Sequence, residues 1–293
     1  MSRWQHQSTF TLPAPPSRVF AALTEPAALT RWFAESVDVQ AREGGAYGFW
    51  GKHTYGVPSR REATQRISRI DPPRLLAYTW SIHGQDGMVT LELEEAAVRD
   101  GAASTQLSVT HELGGALPIT RAAELIDDLW RLQVGNLSAF LKDPRELCLP
   151  DFTDPRPEVR ASILIDAPRE RVFQALLDPA TLNRWIASAA SVEPRTGGRY
   201  SYGWKYDIGG REVQGGPTRV LEMVPNEKLV TDWPDWRGDA SVQPTTVTWL
   251  LASEDRKTRV TVIHGVFPRA SDASDYPFGW AGFLRALQRT LGE

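Results

Sequence analysis

The stretch RVFAALTEPAALTRW, from Arg18 to Trp32, returns as RVFQALLDPATLNRW from Arg171 to Trp185. A chance match drifts out of register with distance, whereas a duplicated unit keeps one spacing along its whole length. Here the spacing holds. Val19 and Val172, Pro26 and Pro179, Gly44-Gly45 and Gly197-Gly198, Tyr47 and Tyr200, Pro72 and Pro225, Trp80 and Trp233, and His111 and His264 are all equally far apart. Only toward the end of each copy, at Trp130 and Trp280, does it shorten slightly. Two related domains are expected, and 293 residues allow each a core of its own. Pro144, Pro150, Pro155 and Pro157 interrupt any regular element between the copies. The join is therefore expected near Leu149, with domains at 1–148 and 149–293.

Each copy has the same order of elements. An alternating run opens it, at Ser8 to Ala14 and again at Glu158 to Pro168, and period-two alternation predicts a half-buried strand. Val19, Phe20 and Leu23 then fall at helical spacing behind Ser17, a candidate N-cap. Pro26 and Pro179 break that helix and start another. From Val37 to about Thr110 come strand runs punctuated by Glu43-Gly44-Gly45, Asp71-Pro72-Pro73 and Asp100-Gly101, the residues that tight turns require. About six strands in a meander, added to the first, predict an antiparallel sheet of about seven. Ile126, Trp130, Val134, Leu137 and Leu141 make an apolar row on a closing helix, as do Trp280, Phe283, Leu284, Leu287 and Leu291. So broad a face must lie on the sheet.

Several function classes fall away on composition. A net charge of -3, with no Lys/Arg stripe, leaves no electrostatic footprint for nucleic acid. No apolar stretch approaches the roughly 20 residues of a membrane-spanning helix, and MSRWQHQSTF lacks the apolar run of a signal peptide, so the cytoplasm is the expected compartment. Cys148 is the single cysteine, which excludes an intrachain disulfide and a thiolate metal cluster. There is no HExxH motif, carboxylate cluster, GxSxG elbow, P-loop or dinucleotide fingerprint, so neither a metal nor a cofactor is expected. With 33 Lys and Arg together and only five of them lysine, the composition points to a GC-rich bacterial genome.

Strand, two short helices, meander and long closing helix is the order of the helix-grip fold. With the phrase RVFxALxxPxxLxRW in each copy, followed by Gly-Gly and an aromatic residue, the chain resembles tandem START-type or birch-pollen-allergen-like proteins of the SRPBCC superfamily. More narrowly it resembles the branch named for the activator of heat-shock-protein-90 ATPase, and members found in bacterial polyketide and enediyne clusters. The resemblance implies an α+β fold of two tandem helix-grip domains, each a curved antiparallel sheet around its closing helix. It also implies a cavity between sheet and helix for an apolar small molecule. Fold alone does not assign function, because this superfamily includes carriers, cyclases, aromatases and co-chaperones.

The site must come from residues, and 11 Trp are many for this length. Trp50, Tyr55, Trp80, His83, Trp130, Tyr202, Trp204, Tyr206, Trp233, Trp236, Trp249, Trp280 and Phe283 are the candidate lining, since large aromatics offer flat apolar area and Tyr or Trp adds one polar handle. His111 and His264, at equivalent last-strand positions, are the candidate polar contacts, able to hold a carbonyl or to move a proton if they face inward. Gly279 and Gly282 interrupt the second closing helix, where glycine costs roughly 1 kcal/mol relative to alanine, and bringing a ligand close is one reason to keep them. No catalytic set is recognisable.

The expected function is a non-catalytic binding or carrier protein for an elongated hydrophobic molecule of polyketide or polyene type, in biosynthesis or self-protection. A hydrophobic small molecule is then the main partner, with biosynthetic enzymes as further candidates. The alternative is a polyketide cyclase or aromatase using the same cavity, which requires a titratable cluster inside it. A co-chaperone-like protein-binding module is the second alternative.

Overall fold

In the computed structural model, which describes residues 4–99, 102–115 and 121–292, the opening run of the first copy is β1 (Trp4–Leu12). Two short helices follow, α1 (Pro16–Thr24) and α2 (Pro26–Trp32). Then come β2 (Ser36–Val39), β3 (Tyr47–Trp50), β4 (Ile67–Asp71), β5 (Leu75–Thr79), β6 (Gly87–Arg99), β7 (Ala102–Leu113) and the long α3 (Ala122–Lys142). The main sheet runs β1-β7-β6-β5-β4, antiparallel throughout, and β2 pairs with β3 as a separate ladder. The turn expected at Asp100-Gly101 lies outside the described residues.

The second copy repeats this plan. It runs β8 (Val159–Ile165), α4 (Arg169–Ala175), α5 (Pro179–Trp185), β9 (Ser191–Val192), β10 (Tyr200–Ser201), β11 (Trp204–Ile208), β12 (Arg211–Gly215), β13 (Val220–Val224), β14 (Lys228–Trp233), β15 (Thr245–Glu254), β16 (Lys257–Gly265) and α6 (Tyr276–Gly292). Its main sheet, β13-β14-β15-β16-β8, has the same order as the first, and the added β11-β12 hairpin is its main departure. The register slips between Ile67 and Arg69 in one copy and between Val220 and Glu222 in the other, at the same place. Such a bulge bends the strand and increases its twist.

The chain folds into two compact units, Met1–Pro155 with Arg269–Asp275, and Arg156–Pro268 with Tyr276–Glu293. The architecture is α+β, two tandem domains each with a large antiparallel sheet and helices. A short piece of the second copy, including a 3-10 helix at Ala270–Ala273, thus belongs to the first unit, where Asp275 lies 3.7 Å from the Arg131 guanidinium of α3.

The repeated phrase is a packing code. Val19, Leu23, Leu29 and Trp32 are buried, as are Val172, Leu176, Leu182 and Trp185. The Trp32 indole donates to the Ala22 carbonyl at 2.9 Å and Trp185 to that of Ala175 at 3.4 Å, which closes each second small helix onto the first. Helix α1 starts at Pro16 with Pro15 as N-cap and no side-chain cap, so Ser17 is not the cap. The fixed φ of proline does that work. In the first unit the buried row of α3, from Leu125 to Leu141, joins Leu76, Leu91, Leu107 and Val109 of the sheet in one core.

Tyr47 and Tyr200, each at the start of a strand, donate their hydroxyls at 2.6 Å to the Leu23 and Leu176 carbonyls, pinning the small helices to the sheet. Each phenol is buried, so removing it strands a buried carbonyl. Tyr47→Phe and Tyr200→Phe are each expected to cost about 1–3 kcal/mol in the unfolding transition of their own unit, read by urea denaturation. Unequal losses beyond about twofold would mean that the two bonds are not equivalent.

Candidate functional site

Strand alternation turns one residue in two of the last strand toward the closing helix, and in both units that places a histidine beneath a tryptophan. His111 of β7 and His264 of β16 are wholly buried. The Trp130 indole of α3 lies 3.3 Å from His111 Nδ1, and the Trp280 indole of α6 lies 3.2 Å from His264 Nδ1. An indole N–H is a donor only, so Nδ1 must carry the lone pair and the ring proton must sit on Nε2. His111 Nε2 then donates to the Trp80 carbonyl at 3.4 Å. In the second unit a hydroxyl is interposed: His264 Nε2 donates to Thr245 Oγ1 at 2.8 Å, which donates to the Trp233 carbonyl at 3.1 Å.

Both imidazoles are therefore neutral, of one tautomer, and engaged at both nitrogens. Burial pushes the pKa of His111 down to about 4, with the Trp80 carbonyl opposing it and His6 adding slightly. Burial alone pushes His264 down to about 3. Neither is poised to exchange a proton near neutrality.

Around these bonds the candidate aromatics gather unevenly. In the first unit Trp80 stacks on His111 at 5.4 Å and meets Trp130 edge-on at 5.9 Å. Trp50 is half-buried under the Arg60 guanidinium, 5.8 Å from its ring. Tyr55 packs against His83 at 5.5 Å and Phe152 at 5.6 Å, its hydroxyl 3.4 Å from His83 Nε2, so this pair forms a group of its own at two turns.

In the second unit more of the candidates meet. Trp233 lies 5.2 Å from Trp280 and 5.3 Å from His264, and Tyr202 touches both Trp233 and Trp204. Trp204 stacks on Phe283 at 5.6 Å, Phe283 touches Trp280 at 6.0 Å, and Trp280 meets Trp249 edge-on at 5.6 Å. Trp204 and Phe283 are half-buried, whereas Trp280 and Trp249 are buried, so this file of rings runs from the surface inward. Tyr206 and Trp236 stand outside it as an edge-on pair, with Arg237 4.2 Å above Trp236.

Sequence reasoning missed Thr245, Tyr276 and Phe267. Tyr276 accepts the Trp233 indole N–H at 3.0 Å and lies 4.4 Å from His264, with Phe267 at 4.6 Å. All three lie in stretches that the repeat does not match, so nothing in the pattern singled them out. An open groove of about 430 Å³, lined in part by Thr79, Ser81, Asp86, Met88 and Glu112, takes in none of the candidate aromatics. Among the described residues no three His, Cys, Asp or Glu side chains gather to hold a metal, and no helix is long and apolar enough to cross a membrane.

The imidazoles set a pH dependence. Each has a folded pKa below its unfolded value of 6.5, so the unfolded chain binds the extra proton. Their contribution to stability is complete above pH 6.5 and is lost as the pH falls toward about 4 and about 3. His264→Gln is expected to flatten stability against pH over that window by about 1.4 kcal/mol per pH unit, measured by denaturant unfolding from pH 7 to 4. An unchanged slope would mean that His264 is not held neutral.

Known proteins give the family. A family model described as activator of Hsp90 ATPase homolog 1-like protein matches residues 13–142 and again 166–292. A search among curated proteins found no match. Among solved structures, DynU16, titled a putative protein in the dynemicin biosynthetic locus, is 16% identical over 97% of this chain and 98% of its own, with a TM-score of 0.38. The di-domain ARO/CYC BexL from the BE-7585A biosynthetic pathway is 18% identical over 100% and 99%, with a TM-score of 0.36. Protein MLL2253 from Mesorhizobium loti is 22% identical over 46% of this chain and 97% of its own, with a TM-score of 0.37. Because the model fits each copy in turn and most of the residues, the chain belongs to the family of activator of Hsp90 ATPase homolog 1-like proteins.

Proposed function

We propose that the protein binds and carries an elongated, hydrophobic small molecule of polyketide or polyene type, working in the cytoplasm in bacterial natural-product biosynthesis or self-protection. One observation carries this reading: the second unit's aromatic file, from half-buried Trp204 and Phe283 to buried Trp280 and Trp249. Flat rings in series suit a flat or extended conjugated guest, which gains contact area with little loss of side-chain entropy. The interior favours holding over turnover. A cyclase needs a group that gives or takes a proton, and His111 and His264 are neutral with both nitrogens occupied. Biosynthetic enzymes that make or consume the guest are its natural partners.

The test is native mass spectrometry of protein taken from its producing strain, together with quenching of tryptophan emission by parinaric acid, a linear polyene. A co-purifying conjugated molecule and saturable quenching are expected. Phe283→Ala is expected to weaken parinaric acid binding about tenfold, because the stacked partner of Trp204 is gone. An empty protein that neither binds parinaric acid nor retains any apolar molecule would overturn the reading. Conversion of a synthetic poly-β-ketone thioester would replace it with the cyclase.

A further inference from the structure

In the second unit the indole of Trp249 is wholly buried and its Nε1 has no hydrogen-bond partner. Trp249 sits in β15 between Leu229 of β14 and Val262 of β16, so its strand neighbours offer only apolar side chains. The rings that it meets edge-on are Trp185 at 5.8 Å and Trp280 at 5.6 Å. Indoles have no acceptor, and both already donate elsewhere, Trp185 to the Ala175 carbonyl and Trp280 to His264. A ring face is a weak acceptor at best.

The first unit does without this donor. Leu76 pairs with Leu91 and Leu91 with Val109, as Leu229 pairs with Trp249 and Trp249 with Val262, so Leu91 is the counterpart of Trp249. Leu91 is buried with no polar atom to satisfy. An aliphatic side chain fills this place in the fold, and an indole there strands a buried donor at a cost that packing alone does not require. The same unit has Gln133 where α6 has Phe283, three residues after the repeated tryptophan in each closing helix. The aromatic file and the unpaired donor at its inner end thus occur together in the second unit.

We infer that the Trp249 N–H is the polar recognition point of the second unit, and that it receives a neutral oxygen acceptor, a ketone, quinone or ester carbonyl, on a flat apolar molecule held along Trp204, Phe283 and Trp280. This rests on the carrier reading and narrows it to carbonyl-bearing guests. At the Trp249 N–H itself a neutral acceptor is favoured over a carboxylate, since the Trp185 and Trp280 rings and the paired Leu229 and Val262 supply no cation and an unpaired buried charge is far costlier than an unpaired dipole. An acid such as parinaric acid keeps its carboxylate away from this end.

The experiment pairs two tricyclic probes that differ only in a carbonyl, fluorenone and its methylene counterpart fluorene, against the full chain and its Trp249→Phe variant. Fluorenone is expected to bind the variant roughly three- to tenfold more weakly than the parent, the worth of one hydrogen bond, while fluorene binds both alike. Any general loosening from the smaller ring affects both probes and cancels in their ratio. A second readout needs no variant of uncertain folding: the Trp249 indole N–H resonance is expected to move downfield with fluorenone and not with fluorene. If both probes bind and the ratio is unchanged with no such shift, a water or nothing meets Trp249 and the inference is overturned alone. If neither probe binds the parent protein but parinaric acid does, this inference is overturned alone; if parinaric acid also fails and no apolar molecule is retained, the carrier reading falls and this inference with it.

Discussion

Both units repeat one buried directional bond between closing helix and sheet, the indole of the closing helix donating to the imidazole of the last strand. Apolar burial presses a helix onto a sheet but is indifferent to small slides along it. A buried donor and acceptor that find only each other are not, since separating them leaves both unsatisfied at about 1–3 kcal/mol apiece. The bond also fixes the imidazole tautomer, and through Nε2 it reaches, two strands away in the sheet, the carbonyl of Trp80 just past β5 or of Trp233 at the end of β14. Helix, last strand and the end of a central strand are tied at one point in both copies.

Much of this was legible in the sequence because duplication supplies its own control. The spacing of Trp32 and Trp185, Tyr47 and Tyr200, and His111 and His264 identified the positions that structure requires twice, and each of these pairs makes the same kind of bond in both units. Thr105 and Thr258, which donate to the Ala14 and Ala167 carbonyls at 2.7 and 2.8 Å, obey the same spacing and could have been found by it. The inward direction of the two histidines was not readable, because a strand has two faces and a polar residue fits either. Nor was the reach of Arg269–Asp275 into the first unit, since a segment between strand and helix carries no periodicity to say where it packs.

Besides the added β11-β12 hairpin, the copies have diverged on the closing helix and on β6 and β15 of the sheet. Leu129, Leu132 and Gln133 of α3 correspond to Gly279, Gly282 and Phe283 of α6, and Leu91 to Trp249. Leu129 and Leu132 are buried, whereas a Cβ on Gly279 or Gly282 would meet nothing within 4 Å. The first helix is thus packed along a face that the second leaves open. Tight packing on both sides favours a fixed helix; space on one side lets a helix shift over its sheet at less cost.

That difference bears on how a buried donor could ever meet a ligand. Trp249 is wholly enclosed, with Trp280 of α6 and Trp185 of α5 edge-on against it, so an oxygen reaches it only if a group packed on it moves. The imidazole bond resists that movement, as do the Trp233 indole on the Tyr276 hydroxyl and the Gln288 amide on the Leu164 carbonyl, while Gly279 and Gly282 on either side of Trp280 add no side-chain packing. The first unit has buried leucines in place of both glycines, so its closing helix is packed where the second is not. On the carrier reading proposed above, the copy that would take the guest is the one whose closing helix is less tightly packed, since the first buries Leu129 and Leu132 where the second has Gly279 and Gly282.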